Sequence, residues 1–373
     1  MDKLGIVTVG RSDFSILKPL IANIERGRNN YQIFASTAHF SKTFGYTASE
    51  IYESFPKKSI SIVDTKIIVK SPLLLSKSIS AHVQEFAKHF SKNKIQKIIL
   101  LGDRYETFAA AIAATSLSIT IYHLHGGVIT LGSMDNAFRN AISEMSHYHF
   151  VDNKNAKERL LNKGFNTKKV FFAGSLAVEN IHRIKNVNSD NFFKKVFNSN
   201  KPRSFAIATY HPSTTGKKDD LKVIKNIIKS VTESKLLLIF TFPNADLNNQ
   251  HIINLLQREA KNNSFLIVRK NLGASLYFHA LTRSNFMIGN SSSGIIESGA
   301  CKIPAINIGN RQEGRDCNPN VVHCNGTQKD IKKSLHEIKK PSFLKRAFKD
   351  DIYFRANASK YIFEKIKILP RIK

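Results

Sequence analysis

The residues best suited to chemistry fall in short glycine-punctuated segments. These are Gly10-Arg11, Gly102-Asp103-Arg104, His125-Gly126-Gly127, His211-Pro212, Asn244-Ala245-Asp246, Gly289-Asn290-Ser291 and Gly309-Asn310-Arg311. In the run Gly289–Glu297, successive backbone N–H groups, serine hydroxyls and a helix start would suit a diphosphate. Glu297, one turn further on, can accept hydrogen bonds from ribose hydroxyls; its bland alternative is a solvent-facing glutamate behind a helix cap. Arg311 and Arg315 follow the next apolar run, and Arg11 follows the first; a guanidinium clamps phosphate through two parallel hydrogen bonds. Gly102-Asp103-Arg104-Tyr105-Glu106 sets two carboxylates beside an arginine, either for acid–base work or as a salt-bridged loop. The glycines after His125 let backbone approach a ligand closely. His211 could meet a phosphate or a sugar hydroxyl, although a lone histidine is more often structural.

Other chemistries lack their patterns. No Gly-Lys-Ser/Thr follows the glycine-serine loop, and the Gly-x-Gly-x-x-Gly spacing of dinucleotide binding is absent. No Gly-x-Ser-x-Gly elbow supports a Ser-His-Asp hydrolase. His123 and His125, two apart on an expected strand, would share a face, and His147 and His149 lie nearby. No Cys/His/carboxylate set has zinc spacing, so no metal is expected.

These segments must be held by a scaffold, and its pattern is plain. In the first half, strands are expected at Leu4–Val9, Tyr31–Ser36, Ile95–Leu101, Ile119–Leu124, Tyr148–Val151 and Val170–Ala173. Helical periodicity marks Leu73–Phe90, Thr107–Leu117, Asp135–Met145 and Ala156–Lys163, and the stretch carrying Ile16, Leu17, Leu20, Ile21 and Ile24. The second half starts again with strands at Ser204–Thr209, Leu236–Thr241, Ser264–Val268, Asn285–Ile288 and Ala305–Ile308. Helices are expected at Asp219–Ser230, Gln250–Lys261 and Ala274–Leu281. Such alternation indicates βαβ units and parallel sheets. The expected fold is α/β, with two Rossmann-like domains around a central cleft: residues 1–178, residues 179–350, and a closing helical segment at 351–373. Each chemistry-bearing segment follows a strand, and open parallel sheets bind ligands at the carboxyl ends of their strands.

Composition narrows the classes. A chain of 373 residues suits two domains. No apolar run reaches the roughly 18 residues of a membrane helix. The start, Met1-Asp2-Lys3-Leu4, lacks the charged and apolar regions of a signal peptide. Three unpaired-looking cysteines, Cys301, Cys317 and Cys324, fit reduced thiols, so a cytoplasmic enzyme is expected. The net charge of +29 could attract nucleic acid, anionic membrane or nucleotide-sugar phosphates. The lysines are dispersed and no nucleic-acid-binding signature accompanies them, so neither a specific nucleic-acid partner nor a membrane partner is expected.

Taken in order, the motifs resemble the UDP-N-acetylglucosamine 2-epimerase family, particularly its hydrolysing branch in sialic and related nonulosonic acid pathways. The resemblance rests on Gly10-Arg11-Ser12-Asp13-Phe14, Gly102-Asp103-Arg104-Tyr105-Glu106, His125-Gly126-Gly127 and Asp135 with Arg139. It continues through Gly174-Ser175-Leu176, His211-Pro212, Pro243-Asn244-Ala245-Asp246, Gly289–Glu297 and Gly309–Arg315. It implies a glycosyltransferase-B type fold whose C-terminal helix, here about Ile352–Ile368, crosses back to the first domain. It also implies a UDP-sugar substrate, a homodimer or homotetramer, and no cofactor. The reaction implied is loss of UDP as a C2 proton is taken, giving a glycal, then addition of water with C2 inverted. Asp103, Asp135, Arg139 and His211 take the catalytic positions. Arg11, Asp13, Arg104, Glu106, His125, Asn244, Ser291, Ser292, Glu297, Arg311 and Arg315 take substrate-binding ones.

Two positions depart from the family. Relatives commonly read His-Gly-Gly-Glu where this chain has Val128, and that glutamate is one of the proposed catalytic carboxylates. They also commonly have His where this chain has Asn140. Three readings stay open: Asp103, Glu106 or Asp135 carry the proton transfers; the sugar differs, for instance a 2,4-diacetamido-trideoxy sugar; or the chain binds nucleotide-sugar with weak or no turnover. A glycosyltransferase of the same fold is a further alternative.

Overall fold

The computed structural model describes residues 2–372 except 41–46, 68, 70, 185–189, 198–202, 213–219, 244–248 and 271. Thirteen strands are seen among the described residues, in two parallel sheets. The first holds β1 (Leu4–Thr8), β2 (Tyr31–Ser36), β3 (Ile60–Val63), β4 (Lys97–Leu101), β5 (Thr120–Leu124), β6 (Tyr148–Val151) and β7 (Val170–Phe172), ordered β3-β2-β1-β4-β5-β6-β7. The second holds β8 (Phe205–Thr209), β9 (Leu237–Thr241), β10 (Leu266–Arg269), β11 (Met287–Gly289), β12 (Ala305–Ile308) and β13 (Val321–Cys324), ordered β10-β9-β8-β11-β12-β13. The doubly wound α/β expectation is met in each half.

The chain divides into two compact units: Met1–Ile129 with Met134–Glu179 and Tyr353–Lys373, and Asn180–Ile352 with Thr130–Ser133. In the first unit, β1, β4 and β5 are buried along their whole length. This is why they read as continuous apolar runs rather than alternating ones. The helix Arg11–Arg26 buries Phe14, Leu17, Leu20, Ile21 and Ile24 in the same cluster as Ala358, Ile362 and Ile366. Those last three lie on the C-terminal helix Ala358–Ile368, which begins six residues later than the expected Ile352 because Asn357 stands in a left-handed turn at φ 55°. Glu179 fixes that helix start, accepting from Ser359 N–H at 2.7 Å and its hydroxyl at 3.0 Å.

The second unit has its own core, with Ala206, Ala208, Leu238, Phe240, Ile288 and Ile306 from the strands and Ile224, Ile227, Leu255 and Leu256 from flanking helices. In both sheets the strand order reverses direction beside the first strand, between β1 and β4 and between β8 and β11. In open parallel sheets such reversals are where loops at the strand carboxyl ends part and ligands bind. The motifs at Gly10, Gly102, His211 and Gly289 follow those four strands. No helix among the described residues is long and apolar enough to cross a membrane.

Candidate active site

In the first unit, the β1 loop is organised by Asp13. Its carboxylate accepts from Val9 N–H at 2.6 Å, Gly10 N–H at 2.7 Å and the Thr8 hydroxyl at 3.2 Å, which caps the helix Arg11–Arg26. Burial raises the Asp13 pKa to about 6, against the lowering effect of those N–H groups and of the Arg104 charge. Asp13 therefore shapes the loop from within. Arg11 opens the helix, its side chain lying outside the described structure.

Across the reversal, the β4 loop carries Asp103 half-buried. Its carboxylate is ion-paired with Arg139 Nη2, and the Arg139 side chain is 2% exposed. Arg139 Nη1 also donates to the Val128 carbonyl at 3.0 Å. Asp135 begins the helix Asp135–Met145 and stands one turn before Arg139, on the same face. Arg104 Nε donates to buried Glu106 at 3.3 Å. Glu106, in the first turn of the helix Tyr105–Ser116, thus has a salt-bridge partner at that helix's N-cap.

Val128 itself is buried, its side chain packed with Val151, Ala156, Leu160 and Val170. Gly127 before it, at φ 74°, runs so close to the Ala156 carbonyl that a Cβ would overlap it. Asn140 accepts from Lys163 Nζ at 2.9 Å on the surface.

The histidines divide differently from the sequence expectation. His125 does not share a strand face with His123, because β5 ends at Leu124 and His125 adopts φ 65°, which breaks the alternation. His123 Nε2 lies 2.8 Å from the Gly102 carbonyl, which can only accept, so Nε2 carries the proton. Burial lowers its pKa to about 4, and neutral Nδ1 accepts from the Ser143 hydroxyl at 3.1 Å. His147 Nδ1 accepts from Ile121 N–H, and His149 packs edge-on against Phe165. These three serve the β4–β5–β6 framework that carries Asp103.

In the second unit, the β8 and β11 loops are locked together. The Asn290 side chain accepts from His211 N–H at 2.7 Å and donates to the His211 carbonyl at 2.8 Å. Gly289, at φ 140°, lies where a Cβ would overlap the Thr209 carbonyl, so only glycine allows this approach. His211 is buried at the end of this clamp. The helix Ser293–Ala300 starts just beyond, with Ser291 buried and Ser292 half-buried. The loop uses part of its own donor set: Gly294 N–H goes to the Ser291 carbonyl, and Ile295 and Ile296 N–H go to the Ser292 carbonyl.

Glu297 does not face solvent. It is 8% exposed, and burial pushes its pKa up to about 7 although the Arg315 charge and a Ser293 hydrogen bond act to lower it. Its Oε2 is buried with no hydrogen-bond partner among the described residues. The Nε atoms of Arg311 and Arg315 share that condition. Both arginines sit on the β12 loop: Arg311 Nη1 donates to the Asn290 carbonyl at 3.3 Å and Arg315 Nη1 to Gln312 Oε1 at 3.0 Å. Two guanidinium Nε donors and one carboxylate oxygen without partners among the described residues form a set suited to an anion and to hydroxyls. Asn244 lies outside the described residues.

Asn290, named only as part of its loop motif, proves decisive through its backbone contacts, and Gln312 is a structurally decisive residue that its type did not single out. Their contacts span 79 and 22 residues of sequence, beyond any local pattern.

The description of the UDP-N-acetylglucosamine 2-epimerase family matches residues 22–367. The chain belongs to that family. It is 37% identical over 331 residues to the GDP/UDP-N,N'-diacetylbacillosamine 2-epimerase (hydrolyzing) of Campylobacter jejuni, covering 86% of this chain and 83% of the relative. It is 28% identical to the UDP-N,N'-diacetylbacillosamine 2-epimerase (hydrolyzing) of Legionella pneumophila, over 99% of this chain and 96% of that one. In fold it matches the crystal structure of UDP-GlcNAc 2-epimerase from Neisseria meningitidis with a TM-score of 0.82, at 17% identity, covering 98% and 99% of the two chains. As an epimerase-family member the chain is an enzyme with the glycosyltransferase-B type fold.

Proposed function

We propose that this enzyme is a hydrolysing 2-epimerase for a UDP-linked 2-acetamido sugar, releasing UDP and the free manno-configured sugar. The observation that carries the chemistry is the Asp103–Arg139 pair, a carboxylate held by a buried arginine beside the strand reversal of the first sheet. The buried guanidinium orients the Asp103 carboxylate, the group that accepts the proton in this reading. Asp135, on the Arg139 face of its helix, is the second acid–base group.

In the first stage the C1–O bond to UDP breaks with its electrons leaving on UDP, and the C2 proton passes to a carboxylate. The product is a glycal. In the second, water supplies hydroxide to C1 while a proton returns to C2 from the opposite face. The sum is UDP-sugar plus water giving UDP plus epimerised sugar. The second unit holds the nucleotide in this account. Arg311 and Arg315 neutralise the diphosphate, Ser291, Ser292 and His211 offer it hydrogen bonds, and Glu297 accepts from the ribose. Pre-placed cations stabilise the leaving diphosphate where its charge develops.

The hydrolysing diacetylbacillosamine epimerases among the relatives favour a 2,4-diacetamido-trideoxy sugar over N-acetylglucosamine. Incubation with each UDP-sugar, with UDP and free sugar measured separately, tests this. Release from neither substrate overturns the proposal. A second reading, nucleotide-sugar binding without turnover, draws on valine at position 128 and predicts UDP binding with no sugar released.

A further inference from the structure

Gln312 has no acid–base chemistry of its own, yet it joins two loops of the nucleotide-side site. It is 3% exposed. Its Nε2 donates to the Asn290 carbonyl at 3.1 Å, and its Oε1 accepts from Arg315 Nη1 at 3.0 Å. Both partners are one-way: a carbonyl only accepts and a guanidinium only donates. The amide therefore has a single satisfied orientation. Asn290 is fixed by the same logic, with its own amide spanning the N–H and carbonyl of His211. The result is one directed chain, His211–Asn290–Gln312–Arg315, crossing the loops that follow β8, β11 and β12.

Arg315 is half-buried, and with Nη1 taken by Gln312 its Nε remains buried and unpartnered among the described residues. An arginine side chain has many rotamers, and holding one nitrogen restricts the directions in which the others can point. We infer that Gln312 is a positioning residue, which aims the Arg315 guanidinium at the nucleotide diphosphate and ties that aim to the His211 loop. The inference rests on the proposal that this unit binds UDP. Gln312 touches no reacting atom; it acts through Arg315.

A double-mutant cycle on the full chain tests it, with UDP itself as the probe in titration calorimetry. Gln312→Met keeps the length and removes both hydrogen bonds. Losing charge-assisted contacts to phosphate, Arg315→Met is expected to weaken UDP binding by roughly 10- to 100-fold. Gln312→Met is expected to weaken it about 10-fold in the wild-type background. In the Arg315→Met background the same change is expected to cost less than about 2-fold, because the group it positions is gone. Gln312→Asn, which keeps the amide but shortens its reach, supplies the same cycle if the methionine variant does not fold. Equal losses in both backgrounds would reveal a general structural role and overturn the inference, as would a Gln312→Met chain that binds UDP like wild type. A wild-type chain that binds no UDP overturns the underlying nucleotide reading instead.

Discussion

Arg139 donates to the backbone carbonyl of Val128 at 3.0 Å, while the Val128 side chain lies in an apolar cluster. The loop where the family resemblance leads one to expect an acid is thus joined to Arg139 by its main chain. Whatever residue stands at 128, the same guanidinium can hold Asp103.

This leads to an expectation for Val128→Glu. Its carboxylate would enter the space shared by Val151, Ala156, Leu160 and Val170. An unpaired buried charge costs several kcal/mol, on the order of 3–5. The variant is expected to melt well below wild type and to show no gain in turnover. A folded variant with faster sugar release would favour the reading in which valine has silenced the enzyme.

Asp103→Asn keeps an acceptor for Arg139 but cannot take up the C2 proton. Removing a positioned acid–base group typically costs about 10²–10⁴-fold in rate. UDP affinity should change by less than about 3-fold, since Asp103 stands on the sugar side of the proposal. Steady-state kinetics and UDP titration together check this; a parallel collapse of both would assign Asp103 to nucleotide binding.

Glu297 gives a pH signature. Its folded pKa, about 7, is raised above the ordinary glutamate value of 4.5 by burial. Between those values the unfolded chain ionises while the folded one keeps its proton, so stability falls as pH rises through this window. Glutamine mimics the protonated acid. Glu297→Gln is therefore expected to leave the melting temperature nearly unchanged at pH 4.5 and to raise it at pH 8, with a difference worth about 3 kcal/mol. Melting curves at the two pH values check it, and an equal effect at both would contradict the raised pKa. The same variant should bind UDP more weakly, a stability–function opposition common at binding sites.

Much of the scaffold was legible because parallel strands buried on both faces leave unbroken apolar runs, as in Lys97–Leu101 and Leu237–Thr241. The edge strands Ile60–Val63 and Val321–Cys324 were not, because each is four residues long and largely half-exposed, without a clear period. Loop motifs at strand ends located the candidate residues. Sequence could not decide whether Glu297 faced solvent, because its burial arises from tertiary packing. His125 illustrates the opposite failure: alternation was extended one residue past the end of its strand. Asn290 and Gln312 look like ordinary loop amides until their distant backbone partners are known.

The most direct test of the central claim is proton NMR of the reaction run in deuterated water with a UDP-2-acetamido sugar. Elimination followed by hydration predicts that UDP appears together with a free manno-configured sugar carrying deuterium at C2. Release of a gluco-configured sugar that keeps its C2 proton would contradict the account, because UDP would then have left by simple hydrolysis at C1.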